Sequence, residues 1–240
     1  MLRARGVAVA REDGDDGGVA WTVEGGRAVQ PYDDRVPADI SAAAFWLVAG
    51  AVHPDAELTL RDVGVNPTRR AIIEILRAMG ARIDERPTTS TADAGASTGE
   101  PLADLVVRSS ELRGIDLAPA DVAAAIDEIP VLCLAATQAV GTTTIRGAGE
   151  LRHKESDRIA GIARGLEALG ARVDVEGDDL RIQGRTPLIG AATDSLDDHR
   201  LAMTFAIAGL LASGSTTIAR PGSAAVSYPG FFSDLEGVRP

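Results

Sequence analysis

Leu76-Arg77-Ala78-Met79-Gly80-Ala81-Arg82-Ile83-Asp84 returns 90 residues later as Leu166-Glu167-Ala168-Leu169-Gly170-Ala171-Arg172-Val173-Asp174. Both copies read as the last turn of an amphipathic helix, a glycine just past its end, and a strand. A weaker copy opens the chain as Leu2-Arg3-Ala4-Arg5-Gly6-Val7-Ala8-Val9. Repeats of this kind mean that one supersecondary unit is used several times.

A second element recurs beside the first. An apolar helix leads through a polar or glycine turn into a strand, over about Asp39 to Arg61, Asp127 to Arg146, and Asp198 to Arg220. The last two copies share the turns Gly141-Thr142-Thr143-Thr144-Ile145 and Gly214-Ser215-Thr216-Thr217-Ile218. Each apolar helix starts at an aspartate, which suits the free N–H groups of a first turn. The chain is therefore predicted to be α/β, in the order helix, strand, helix, strand, strand, used about two and a half times. Strands are expected at Leu58–Arg61, Arg82–Glu85, Leu105–Val107, Thr143–Arg146, Arg172–Val175, Leu180–Gln183 and Thr216–Ala219. The second helix of each unit is expected to start near Asn66-Pro67-Thr68 and near Glu155-Ser156. Asp13 to Gly18 reads as a hairpin tip, and Pro87 to Pro101 as a surface excursion. One repeat series gives way to another near Val36-Pro37, which sets an expected domain boundary there. Starting in mid-unit, the chain is expected to be completed by another chain or to be part of a longer one.

Composition narrows the function. The net charge is −11 and the pI about 4.7, which argues against nucleic acid or an anionic membrane as partner. An anionic ligand must be small and held by a local cluster. Cys133, the only cysteine, lies in an apolar run and reads as a small buried hydrophobe. No Cys/His metal spacing, bilayer-length apolar stretch or signal peptide is visible.

The candidate cluster is Glu150-Leu151-Arg152-His153-Lys154-Glu155-Ser156-Asp157-Arg158. Of 24 basic residues, Lys154 alone is lysine, a compact point charge where arginine serves elsewhere. Lys154 and Arg158, four apart, are expected to share the face of a helix start and to clamp a phosphate or carboxylate. Asp127-Glu128 places adjacent carboxylates before a buried helix, where acid–base work is possible. In Asp198-His199-Arg200, a histidine and an arginine stand at the positive end of a helix dipole, which favours a bound anion. If the repeats are alike in space, these helix starts converge on one negative substrate.

Several stretches carry a family resemblance: Asp39-Ile40-Ser41-Ala42-Ala43-Ala44-Phe45, Asn66-Pro67-Thr68-Arg69, Asp127-Glu128-Ile129-Pro130-Val131-Leu132, Leu151 through Ile159, Asp198-His199-Arg200-Leu201-Ala202-Met203 and Ser227-Tyr228-Pro229-Gly230-Phe231-Phe232. With them the chain resembles the EPSP synthase (3-phosphoshikimate 1-carboxyvinyltransferase) family, over the C-terminal half or slightly more of its usual length. The resemblance implies an enolpyruvyl transferase-like lobe of repeated βαβαββ units, helices inside and sheets outside. Residues 1–36 then correspond to a remnant of the N-terminal lobe and residues 37–240 to the C-terminal lobe. It implies transfer of the enolpyruvyl group of phosphoenolpyruvate to the 5-hydroxyl of shikimate 3-phosphate, without metal or cofactor, in the cytoplasm.

By matching position, the resemblance implies Asp127 as the base and shikimate contact, and Lys154 as a contact to shikimate 3-phosphate. Glu155 is the implied acid at the methylene carbon, Arg158 and Arg200 the clamp on phosphoenolpyruvate, and His199 a neighbour that tunes the site. Ala38 departs from a usual glycine, and Val226 from a lysine carried by some members. The residues of a first lobe have no counterpart, so a complementing N-terminal lobe is expected, and turnover by this chain alone is not. Rival readings are UDP-N-acetylglucosamine enolpyruvyl transferase, against which the Lys-Glu-Ser-Asp-Arg and Asp-His-Arg segments speak, and a non-catalytic half of a split enzyme.

Overall fold

The structure is a computed structural model that describes residues 2–31, 36–88 and 100–238. A short 3-10 turn at Arg3–Arg5 leads into the hairpin β1 (Val9–Asp13) and β2 (Val19–Val23), which among the described residues pair only with each other. Its tip closes with Gly14 N–H donating to Gly18 at 2.7 Å, as the glycine-rich sequence predicts. The expected boundary near residue 36 adjoins residues 32–35, which lie outside the described residues.

Three units follow. The first holds α1 (Ile40–Val52), β3 (Glu57–Gly64), α2 (Ala71–Ala78), β4 (Arg82–Pro87) and β5 (Leu102–Arg108). The second holds β6 (Asp116–Leu117), α3 (Pro119–Ala124), α4 (Ile129–Gln138), β7 (Gly141–Ile145), α5 (Arg158–Ala168), β8 (Arg172–Glu176) and β9 (Asp179–Gly184). The third holds β10 (Ala192–Asp194), α6 (His199–Leu211), β11 (Thr217–Ala219) and α7 (Phe231–Gly237). Every strand predicted from sequence is present. Missed were the short first strands β6 and β10, which are two and three residues long and carry no alternation to detect. Each unit opens with a parallel pairing: Ala38 with Val63, β6 with β7, and β10 with β11. The sheets then run β3-β5-β4 and β6-β7-β9-β8, with antiparallel pairs beyond the first.

The repeated glycines do the same work in each copy. Gly80 (φ 101°), Gly170 (φ 90°) and Gly6 (φ 77°) are left-handed. Past each, the next N–H reaches back five residues: Ala81 to Leu76, Ala171 to Leu166, Val7 to Leu2. That is the helix-ending motif in which glycine avoids a Cβ penalty.

Helices α1, α4 and α6 are apolar all round, and a helix of that kind belongs in a core. They pack on one another, with the sheets outside them. Helix α5 crosses α6 so closely that a Cβ on Gly165 would sit 2.1 Å from the Phe205 ring. Cys133 is fully buried on α4, and burial pushes its thiol up to about 12. No helix among the described residues is long and apolar enough to cross a membrane.

Two helix starts differ from expectation. Asn66-Pro67-Thr68 forms a turn in which the Asn66 side chain accepts from Thr68, and α2 begins only at Ala71. Helix α5 begins at Arg158, capped by Asp157, because Asp157 is the residue whose carboxylate reaches the Ala160 N–H (3.0 Å). Lys154 therefore precedes the helix in extended backbone and does not share a helix face with Arg158. Of the surface excursion, residues 89–99 lie outside the described residues.

Candidate active site

The three aspartates that open the apolar helices do three different things. Asp39 caps α1, accepting from the N–H groups of Ser41 and Ala42. Asp198 caps α6 through the Arg200 N–H and is fully buried. Asp127 caps nothing: it lies in a one-turn 3-10 helix, Ile126–Glu128, and α4 starts two residues later. Its carboxylate is left for other partners.

Those partners are cations from three places in the chain. Asp127 Oδ1 is 3.3 Å from Arg158 Nη1 on α5 and 3.6 Å from Lys154 Nζ on the preceding segment. Asp127 Oδ2 is 3.8 Å from Arg200 Nη2 on α6. Lys154 and Arg158 meet at Asp127 although no helix face joins them. Burial works against the Asp127 carboxylate, but Arg200, Lys154 and Arg158 outweigh it and hold the carboxyl below its ordinary range. Lys154 donates a hydrogen bond to Glu150, 2.8 Å away, which raises its ammonium above the ordinary range against the opposing effect of burial, and Asp127 adds to the rise.

Arg158 is the structural centre. Its side chain is 1% exposed, and a buried charge must be paired. It donates to Asp198 at 2.8 Å, to Glu155 at 2.5 Å and to Asp127. Asp198 accepts also from Ser156 at 3.0 Å. Burial opposes ionisation of Asp198, and the Arg158 hydrogen bond and charge overcome it, so its carboxyl is lowered. Glu155 is exposed on its outer side, and its Oε1 is 4.0 Å from His199 Nδ1. Burial, then the charge of Arg200, holds His199 below its ordinary range against the opposing pull of Asp198 and Glu155. That shift favours the neutral imidazole.

All the residues singled out from sequence — Asp127, Lys154, Glu155, Arg158, His199 and Arg200 — thus lie in one contact network at the amino ends of α4, α5 and α6. Arg152, in the same segment, turns away to Asp178, Asp157 and the Gly177 carbonyl. Sequence reasoning missed the roles of Ser41, Arg69 and Asp198. Ser41, on α1, donates to Glu128 at 2.5 Å and accepts from Arg69 at 3.2 Å. Asp198 was read as a cap, with no sign that it also anchors Arg158. The turn before it, Leu196 (φ 55°) and Asp197 (φ 60°), is left-handed at two consecutive non-glycine residues, a kind of strain that clusters at functional sites. Val226 ends a 3-10 helix at Pro221–Val226 and is exposed.

Such a site offers cations for a small anion and carboxylates for proton transfer. Dipoles from several helix starts add to three cations, while carboxylates stand close enough to move protons.

Comparison with known proteins shows the family. A profile of the family "EPSP synthase (3-phosphoshikimate 1-carboxyvinyltransferase)" matches residues 1–235. A 3-phosphoshikimate 1-carboxyvinyltransferase of Gloeobacter violaceus is 47% identical over 239 residues, covering 100% of this chain and 53% of its own. One from Roseiflexus sp. is 53% identical over 211 residues, 88% of this chain and 47% of its own. The EPSP synthase structure from Acinetobacter baumannii superposes with a TM-score of 0.87 at 38% identity, covering 98% of this chain and 52% of that one. An enolpyruvyl transferase from Streptomyces tendae, NikO, shares the fold at a TM-score of 0.74 and 24% identity. The chain spans about half the length of the curated relatives it matches. With its repeated units, helices inside and sheets outside, it belongs to the EPSP synthase family.

Proposed function

We propose that this chain supplies the C-terminal part of a cytoplasmic site that transfers the enolpyruvyl group of phosphoenolpyruvate to the 5-hydroxyl of shikimate 3-phosphate, releasing phosphate. The observation that carries this reading is the Asp127 carboxylate held between cations from three elements. In the addition step, Asp127 takes the hydroxyl proton as the oxygen bonds to C2 of phosphoenolpyruvate. Glu155 gives a proton to C3, turning the methylene into a methyl group. In the elimination step, the C2–O bond to phosphate breaks and Glu155 takes a methyl proton back, restoring the double bond.

Lys154 holds the phosphate of shikimate 3-phosphate. Arg158 and Arg200 hold phosphoenolpyruvate, and His199, beside Glu155, tunes the site. A carboxyl kept ionised by nearby cations is a weak base. When the substrate's own charges occupy those cations, the base strengthens at the point where it is needed. Residues 1–36 are read as the tail of an N-terminal lobe and residues 37–240 as the C-terminal lobe. The remaining substrate contacts come from a complementing N-terminal lobe.

Calorimetric titration tests this reading. Shikimate 3-phosphate is expected to bind saturably, with binding lost in Lys154→Ala. Binding of UDP-N-acetylglucosamine instead would favour the sugar-nucleotide enzyme. Phosphate release is expected only when the chain is mixed with the N-terminal half of a relative. Normal turnover by the chain alone would contradict the need for a second lobe.

A further inference from the structure

Glu128 occupies the N-cap position of α4 but makes no side-chain cap. A cap here would have little to satisfy, because Pro130 in the first turn has no N–H. The buried carboxylate instead crosses to two other helices. Its Oε1 accepts the Ser41 hydroxyl of α1 at 2.5 Å and lies 3.6 Å from Arg200 Nη1 of α6. Ser41 is held in turn by Arg69, in the turn before α2. Arg200 therefore stands between two carboxylates: Glu128 on one nitrogen and Asp127, 3.8 Å away, on the other.

A guanidinium next to a carboxylate frequently closes into a two-pronged pair with it. Arg200 does not do so with Asp127, and Glu128 is the group that holds its other side. We infer that Glu128 is a positioning residue: it pins the Arg200 guanidinium from behind, so that Arg200 faces an incoming anion and does not collapse onto Asp127. The Ser41–Arg69 pair fixes the Glu128 carboxylate from the far side. The role of Arg200 toward phosphoenolpyruvate rests on the function proposed above; the pinning itself does not.

Two variants separate positioning from plain stability. Glu128→Gln removes the charge that holds Arg200 while keeping an oxygen for Ser41. Ser41→Ala removes the hydroxyl while keeping the charge. Both are expected to lower Tm. In Glu128→Gln, phosphoenolpyruvate, titrated with shikimate 3-phosphate present, is expected to bind about tenfold more weakly, the loss of one charged contact. In Ser41→Ala the change is expected to stay under about twofold. Glu128→Asp, which keeps the charge, is expected to recover part of the affinity. Nitrogen-15 spectra of labelled arginine are expected to report hindered rotation of the Arg200 guanidinium in the wild type and free rotation in Glu128→Gln.

Unchanged affinity in Glu128→Gln, affinity losses in both variants that track their Tm, or an unchanged Arg200 spectrum would each overturn the inference. If the wild-type chain, mixed with the N-terminal half of a relative, binds no phosphoenolpyruvate, the proposed function is contradicted instead, and the ligand-free arginine spectrum then decides alone.

Discussion

Asp39 and Asp127 each precede a buried central helix in successive copies of one repeat, yet only Asp39 caps its helix. Two local differences separate them. After Asp127 the chain inserts a 3-10 turn, and Pro130 removes an N–H that a cap would serve. The aspartate that is not needed by its helix is the one the cations gather around. Asp198 combines both duties, capping α6 while holding Arg158. A repeat thus supplies equivalent positions, and relief from a structural duty makes one of them available for chemistry.

Substitutions can break this comparison. Asp127→Asn has the largest expected effect: phosphate release by the reconstituted enzyme falls by about 10²–10⁴-fold, the usual worth of a general base. Stability is expected to change by less than about 1 kcal/mol, since Asp127 itself is partly exposed and the buried Arg158 keeps Asp198 and Glu155 as partners. Arg158→Met has the largest structural effect. It leaves Asp198 buried without its partner, and denaturant unfolding is expected to show a loss of about 3–5 kcal/mol. Asp39→Ala is expected to cost about 1 kcal/mol of stability and to leave shikimate 3-phosphate binding unchanged. If Asp39→Ala abolished binding, the division between cap and site would fail.

The smallest effect is in the pH dependence. The folded His199 is lowered from 6.5, so below that pH the unfolded chain takes up a proton the folded one resists. Stability is expected to fall as pH drops below 6.5, and His199→Asn is expected to flatten that part of the profile. Asp127 and Asp198, lowered from 3.8, act in the same direction only in stronger acid, losing their contribution as pH falls through their folded values.

Most of the fold was legible in the sequence because its signals are local. The glycine after each helix, the Thr-rich strands and the all-apolar helices declare themselves within a few residues. The short parallel strands β6 and β10 do not, since two or three residues carry no period. The helix starts at Ala71 and Arg158 were read too early: Asn66 builds a turn of its own, and Asp157 lies in a segment crowded with charges that mimic a helix start. The site's members were legible by residue type and by family resemblance. Its wiring was not, because the bonds between Ser41 and Glu128, or between Arg158 and Asp198, join residues 87 and 40 positions apart.

The side chain of Lys154, the single lysine, offers the most direct test. Lysine labelled with nitrogen-15 at the side chain gives one ammonium signal, at the centre of the proposed anion site. On titration with shikimate 3-phosphate that signal is expected to shift saturably, and in Asp127→Asn along a different curve. A signal that stays fixed while the chain binds the ligand elsewhere would contradict the account.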